Sequence, residues 1–288
     1  MTSDQARISH VSDTALLTAA VRAMETDRPN GWVRDPFAAS LAGGRGLAIA
    51  QALPGLEMVC FVVGMRSRII DDVVLTAISK YGISTVLSVG AGLDTRPWRL
   101  ALPADLRWLE VDLQPVLDYK TAVLASEKPR CRVEHLAVDV SDPRRRHALF
   151  QEIPVATALM ITEGLLMYLP AATVEAIAAE ASASSGIRYW LLELATRGIR
   201  RAIGTNAFNE IGSLRAPDCL DGEGIAGVLN RSGWVSIDSR SFGPLALQLA
   251  PYGRLEEIAR LPSAAAPCEA NTPHPANDLS GVHLFSRA

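Results

Sequence analysis

The chain reads as an α/β protein: a doubly wound sheet with helices on both faces, preceded by a helical cap. Three observations predict this. From residue 85 onward, apolar runs alternate with helical segments, the pattern of a largely parallel sheet. The first of those runs ends in a glycine turn and an apparent helix start, VLSVGAGLDTRPWRL at 86–100. Across 288 residues, 49% are hydrophobic and 20% charged, enough for one core with attachments. We expect one domain over 1–288: a helical cap (1–84), a core carrying the ligand-binding turn (85–195), a helical insertion (196–220), and a C-terminal part of the sheet with a long loop (221–288).

Taken in order, residues 12–28 hold Leu16, Leu17, Ala20 and Val21 at helical spacing behind Ser12 or Asp13 as N-cap, and Pro29-Asn30-Gly31 ends the helix. A second helix follows near 36–52. A third runs over 65–81, with Gly82 as its stop. Strands are predicted at Thr85–Val89, Arg107–Val111, Cys131–Val138, Ala156–Thr162 and Tyr189–Leu194. Helices near 95–101, 114–127, 143–152 and 171–185 separate them, two opened by proline. Right-handed crossovers then give the doubly wound topology. Residues 196–218 read as a helical insertion above the sheet. A helix at 221–231 leads through Gly233 to a strand at Trp234–Ser239, and a Pro- and Ala-rich stretch (243–278) precedes a last strand, Val282–Ser286, placed at the sheet edge.

Charge and composition exclude several function classes. Net charge is −3, and the basic residues are scattered except for Arg144-Arg145-Arg146, read as a solvated helix face, so nucleic acid is not an expected partner. The start, MTSDQARISH, is polar, and the longest apolar stretch, Met58 to Met65, is too short to span a bilayer. No membrane association and a cytoplasmic location are the expectations. Cys60, Cys131, Cys219 and Cys268 are too far apart for a CxxC or Cys/His metal pattern, so reduced thiols and no metal are expected.

The glycine turn narrows the ligand. Gly90 and Gly92 lie at the carboxyl end of the first strand, where a doubly wound sheet binds ligands and where glycine lets backbone approach closely. WLEVD at 108–112 places Glu110 and Asp112 at the end of the second strand, with Asp112 22 positions after Gly90, as a ribose-binding carboxylate requires. Asp112 also suits the N-cap of the helix beginning near Pro115. Two adenosine ligands fit, a dinucleotide and S-adenosylmethionine. The third glycine of the dinucleotide fingerprint is missing, and Asp94 would repel a pyrophosphate but suit a sulfonium and an ammonium.

These residues resemble the leucine carboxyl methyltransferase-like group of class I S-adenosylmethionine-dependent methyltransferases, which includes bacterial polyketide O-methyltransferases. The matching segments are SDTALLTAAVRA (12–23), RDPFA (34–38), RSRIIDD (66–72), VGAGLDTRPWRL (89–100), LEVDLQPVL (109–117), AVDVSD (137–142) and TEGLLMYLP (162–170). They cover residues 12–170 and fade after about 195. The resemblance implies a Rossmann-like class I methyltransferase sheet and S-adenosylmethionine as cofactor. It implies that Arg66 pairs with the methionine carboxylate, a task suited to a forked guanidinium. Gly90 would be the turn glycine against the methionyl part and Asp112 the ribose carboxylate, with Gly92, Asp94 and Leu113 also among the cofactor-binding residues. Asp139 and Val140 would flank adenine, and Glu163 would lie near the cofactor's amino group. Family members usually carry Leu at the position of Val140, a departure that leaves a backbone contact intact.

Alternative roles stand beside these. Arg66 next to Arg68, Asp71 and Asp72 suits a helix-surface ion pair. Asp139 suits a cap for the helix near Pro143. Glu163, in an apolar setting, calls for a cationic partner. Tyr168 suits the core as well as the site. Methyl transfer from a sulfonium needs alignment and exclusion of water more than a strong base when the acceptor is already ionised. None of the five histidines falls in the matching segments. The expected acceptor is therefore a carboxylate, or an acidic phenol, of a small molecule such as a polyketide-type metabolite. Tyr168, Arg197, Arg200 and Arg201 are candidates for positioning it, and the arginines also suit a basic helix end. A non-catalytic adenosine-ligand-binding protein of the same fold and a nicotinamide-dependent oxidoreductase are the alternative functions.

Overall fold

A computed structural model describes residues 8, 10–153, 157–196, 214–242 and 279–287. Arg197, Arg200, Arg201, most of the 196–220 insertion and the 243–278 stretch lie outside the described residues. The elements are α1 (Val11–Asp27), α2 (Ala38–Ala52), α3 (Leu56–Tyr81), β1 (Thr85–Val89), α4 (Arg96–Arg99), β2 (Arg107–Asp112), α5 (Gln114–Val123), β3 (Arg132–Ala137), α6 (Pro143–Glu152), β4 (Ala158–Thr162), a 3-10 turn (Leu166–Tyr168), α7 (Ala171–Ala183), β5 (Ile187–Leu194), α8 (Gly222–Arg231), β6 (Trp234–Ser241) and β7 (Gly281–Arg287).

The seven strands run in the order β3-β2-β1-β4-β5-β7-β6. The first five are parallel, as the alternating sequence predicts, and β1 at the centre pairs with both β2 and β4. The order reverses beside β1, which puts the switch point at the end of the glycine-turn strand. β7 corrects an expectation: it lies between β5 and β6, antiparallel to both, and is not the edge. Burial is the reason. Gly281 through Phe285 are buried, whereas β6 exposes Val235 and Ile237, and its partly charged sequence suits an edge with a register shift.

One face of the sheet packs on α3, through Val86, Trp108, Leu159, Ile161 and Leu191 against Phe61, Met65, Ile69 and Val73. The opposite face packs on α6, α7 and α8. A third cluster joins α1 and α2 to the first half of α3 and to Leu93 and Trp98 beyond the glycine turn. Here α3 is longer than the sequence reading expects: the apolar run at 58–65 is its first half, bounded by Gly55.

Local details differ from expectation in three places. The N-cap of α1 is His10, whose ring accepts the Ser12 N–H at 3.2 Å while Asp13 Oδ2 accepts the His10 N–H at 3.1 Å. The cap of α6 is Asp142, not Asp139. Arg146 is not part of a solvated face; it is buried, donating to Val140 O at 2.9 Å and to Glu180, while Arg144 and Arg145 remain exposed.

Candidate active site

The glycine turn is built from backbone first. Gly90 (φ 68°) and Gly92 (φ 50°) take left-handed conformations that side chains resist. The N–H groups of Gly90 and Ala91 both donate to Val111 O, at 2.8 and 3.1 Å. A Cβ on Gly90 would come within 3.0 Å of Leu165 Cδ1, so the absent side chain keeps open the gap between the β1 and β4 ends. Asp112 Oδ2 accepts the Gly92 N–H at 2.7 Å and Oδ1 the Leu113 N–H at 2.7 Å. Leu113 is itself the N-cap residue of α5 and no side chain caps that end, so Asp112 is committed to the turn and to the cavity.

A latch from α1 and the segment after it holds the exit of the turn. Arg22 of α1 donates Nη2 to Leu93 O at 2.6 Å and Nε to Asp35 Oδ2 at 2.8 Å. Thr95 donates to the same Asp35 oxygen at 2.6 Å. Burial disfavours the Asp35 charge, but Arg22 and the Thr95 hydroxyl outweigh it and lower its pKa.

Beyond the turn lies a buried charge network. Arg96 donates Nε to Asp71 Oδ1 (2.7 Å) and Nη1 to Asp94 Oδ2 (3.0 Å) and Glu163 Oε2 (2.7 Å), and Arg99 adds a second arginine on Asp71. Arg66 Nε lies 2.9 Å from Glu163 Oε1, and its Nη1 lies 3.9 Å from Glu193 Oε1. The surface pair on α3 is Arg68 with Asp72, so Arg66 is turned inward. Glu163 has the cationic partners that its burial demands. Desolvation opposes its charge, but Arg96 and Arg66 lower its pKa.

Asp94 requires a correction. Burial works against its ionisation, yet Arg96, Lys120 and Arg99 hold its carboxyl at about 2. It is a carboxylate, but Arg96 partners it through both side chain and backbone N–H. Repulsion by a free Asp94 charge is therefore not what disfavours a pyrophosphate. The turn itself does: its Gly90, Ala91 and Gly92 N–H groups are spent internally, and α4 is a single turn whose first N–H is already taken by Asp94.

These groups surround a cavity of about 340 Å³ that runs from His10, Ser12 and Thr14 at the start of α1 to Asp139, Val140 and Ser141 after β3. Arg66, Gly90, Gly92, Asp94, Asp112, Leu113, Asp139, Val140, Glu163 and Tyr168 all line it. Asp139 is exposed at its mouth, with Oδ1 accepting from Ser141 N–H and Oγ–H, and Val140 is buried.

A second cavity of about 120 Å³ adjoins the first and shares Thr14, Thr18, Arg66, Met167 and Tyr168 with it. Its walls are mostly apolar, from Leu17, Val59, Val62, Val63, Leu166, Ile225 and Phe242, with Glu193 and Arg215 among them. Arg215 donates to Met167 O (2.7 Å) and Leu220 O (3.1 Å). Sequence reasoning missed Glu193, Arg96, Asp71, Arg22, Asp35, Arg215 and His10. Glu193 had a usable signal: like Glu163, it is an acidic residue at the carboxyl end of an apolar strand, here YWLLEL.

The sequence profile of the family described as leucine carboxyl methyltransferase matches residues 15–182. The chain belongs to that family. A provisionally named S-adenosyl-L-methionine-dependent methyltransferase of Streptomyces avermitilis is 36% identical over 221 residues, 72% of this chain and 78% of its own length. One of Frankia alni, with a name of the same form, is 35% identical over 66% of this chain and 71% of its own. Among solved structures, a DUF574-family protein from Streptomyces avermitilis superposes with a TM-score of 0.56 at 13% identity, over 93% of this chain and 96% of that one. A provisionally titled methyltransferase from Thermobifida fusca gives 0.52 at 18% identity, over 95% and 93%. At such identities the structural likeness concerns the fold, which is the class I methyltransferase sheet. The family match includes the glycine turn, Arg66, Asp112 and Glu163, but ends before Glu193 and Arg215.

Proposed function

We propose that this methyltransferase moves the methyl group of S-adenosylmethionine to an oxygen of a small apolar molecule, a carboxylate or an acidic phenol. The observation that carries the reading is the pair of adjoining cavities: a larger one lined by charged and backbone groups, and a smaller apolar one meeting it at Thr14, Thr18, Arg66, Met167 and Tyr168. A cationic, adenosine-bearing cofactor suits the first, and an apolar acceptor the second.

The residues present fit the cofactor. Asp112 uses each oxygen once on backbone and keeps lone pairs for ribose hydroxyls. Asp139 keeps Oδ2 for an exocyclic amine, beside Val140. Arg66 and Glu163 offer a guanidinium and a carboxylate to the α-carboxylate and α-ammonium of the methionyl end. Bound S-adenosylmethionine supplies an electrophilic methyl on a sulfonium. The chain's task is to align the acceptor oxygen behind that carbon and keep water out. Tyr168, half-buried and hydrogen-bonded to Thr14, lines both cavities and suits acceptor positioning. Arg197, Arg200 and Arg201 remain candidates for that role from sequence alone.

Calorimetric titration with S-adenosylmethionine, its demethylated product and NAD tests the cofactor, and transfer of a labelled methyl group to a panel of apolar acids and phenols tests the reaction. Micromolar binding of the first two and turnover on the panel are expected. Binding of NAD alone would sink the reading. Binding of S-adenosylmethionine without any turnover would favour a non-catalytic ligand-binding role.

A further inference from the structure

We propose that Glu193 is the proton acceptor of the reaction, so that the apolar cavity takes a neutral hydroxyl, a phenol or an enol, in preference to a carboxylate. The inference rests on the methyl-transfer reading above and narrows its acceptor class.

Glu193 precedes the last residue of β5, where β-alternation turns its side chain to the α3 face together with Leu191. Its Oε1 accepts the Gly164 N–H at 2.6 Å, which ties Glu193, in the wall of the apolar cavity, to a residue lining the larger one. Its Oε2 is buried and has no hydrogen-bond partner, and the side chain as a whole is only 9% exposed. An unpartnered buried oxygen is costly, and a hydroxyl entering the apolar cavity would satisfy it.

Its own backbone N–H adds a hydrogen bond to the carboxyl, but the groups packed against Glu193 leave Oε2 without a partner. From α3, Arg66 is closer to Glu163 (2.9 Å) than to Glu193 (3.9 Å). From the end of β4, Glu163 adds a like charge, and from the 3-10 turn Tyr168 bonds to Thr14. Arg215, ahead of α8, is bound to two carbonyls. Across the sheet, Val282 pairs with Glu193, and the neighbouring His283 ring contacts Leu279 O. Burial pushes the Glu193 carboxyl up to about 7 despite Arg66, with Glu163 adding to the rise, and a base poised near neutrality suits proton transfer. A carboxylate acceptor would bring a second anion against this group, whereas a hydroxyl arrives neutral and leaves its proton there.

The step balances. As the acceptor oxygen bonds to the methyl carbon, the carbon–sulfur bond breaks and its electron pair stays on sulfur, leaving a thioether. The hydroxyl proton passes to Glu193 Oε2, giving a neutral carboxylic acid that returns the proton to solvent between turnovers.

The test compares wild type and Glu193→Gln, full chain, on phenols of graded acidity and on apolar carboxylic acids matched in size. Gln retains an oxygen for the Gly164 N–H. The expected result is S-adenosylmethionine affinity within about threefold of wild type, and transfer to weakly acidic phenols reduced by roughly 100-fold or more. The rise in kcat/KM near pH 7 should disappear, and nitrophenols ionised before binding should recover most of the rate. That recovery separates a lost base from a misfolded site. Unchanged phenol turnover and pH profile in Glu193→Gln, or wild-type transfer to carboxylic acids alone, overturns the proposal while the methyl-transfer reading stands. Failure of wild type to bind S-adenosylmethionine, or to methylate any acceptor, overturns both.

Discussion

Asp112 accepts the Gly92 N–H through Oδ2 and the Leu113 N–H through Oδ1, each at 2.7 Å, so one carboxylate ties the glycine turn after β1 to the end of β2. Asp112→Asn can serve only one of the two donors; its NH2 group must face the other N–H. S-adenosylmethionine affinity is expected to fall roughly 10- to 100-fold by calorimetry, equivalent to about 1.4–2.8 kcal/mol. Undiminished affinity would remove Asp112 from the cofactor site.

Arg22 and Asp35 form a buried pair that also engages Leu93 O and Thr95. Arg22→Met leaves the Asp35 carboxylate buried with only hydroxyl and N–H partners, a loss of about 3–5 kcal/mol. In a chain of this size that lowers Tm by roughly ten degrees. Thr95→Val, which removes one hydrogen bond, should cost about 1 kcal/mol by urea denaturation.

Gly90→Ala adds a Cβ to a residue at φ 68° and presses it on Leu165. The strain is about 1–2 kcal/mol, and because Leu165 lines the larger cavity, cofactor affinity should fall along with stability. A variant with lower Tm and wild-type affinity would show that Leu165 yields without narrowing the site.

Arg215 links Met167 O to Leu220 O across the apolar cavity. Arg215→Ala is expected to raise acceptor KM about tenfold with S-adenosylmethionine affinity unchanged, equivalent to about 1.4 kcal/mol. Arg215→Lys keeps the charge but not the fork and should restore part of it. A change confined to kcat would argue against a role in acceptor binding.

Stability against pH carries opposite signs at two carboxylates. Asp94, held at about 2, contributes stability that is present above its ordinary 3.8 and is lost as pH falls through 2. Glu193, raised from 4.5 to about 7, contributes stability that is full below 4.5 and is lost as pH rises through 7, on the order of 3 kcal/mol. In urea titrations of the ligand-free protein, Glu193→Gln should therefore gain on wild type between pH 5 and 9, and a constant difference over that range would contradict the raised pKa.

What could be read along the chain is what local chemistry specifies. Strand-to-helix alternation, the two glycines and the acidic residue 22 positions on are short-range signals, and they place Gly90, Gly92 and Asp112 around one cavity without three-dimensional information. The same reading put the last strand at the edge, because adjacency in sequence is a poor guide once a long stretch intervenes. Burial on both faces placed β7 between β5 and β6.

The sequence by itself determined the parallel part of the sheet, its switch point, the glycine turn and the family. The first three rest on patterns within some twenty residues, where backbone geometry and side-chain periodicity decide the outcome, and the family rests on several such short segments in order along residues 12–170. Only the tertiary structure decided which charges meet: Asp35 with Thr95, 60 residues on, Arg96 with Glu163, 67 residues on, and Arg66 with Glu163 and Glu193. It also decided that Asp94 is partnered while Glu193 keeps an unpartnered oxygen against the apolar cavity. A charge's partner depends on what packing brings within a few ångströms and shields from water, and that distance is not written in the spacing of residues along the chain.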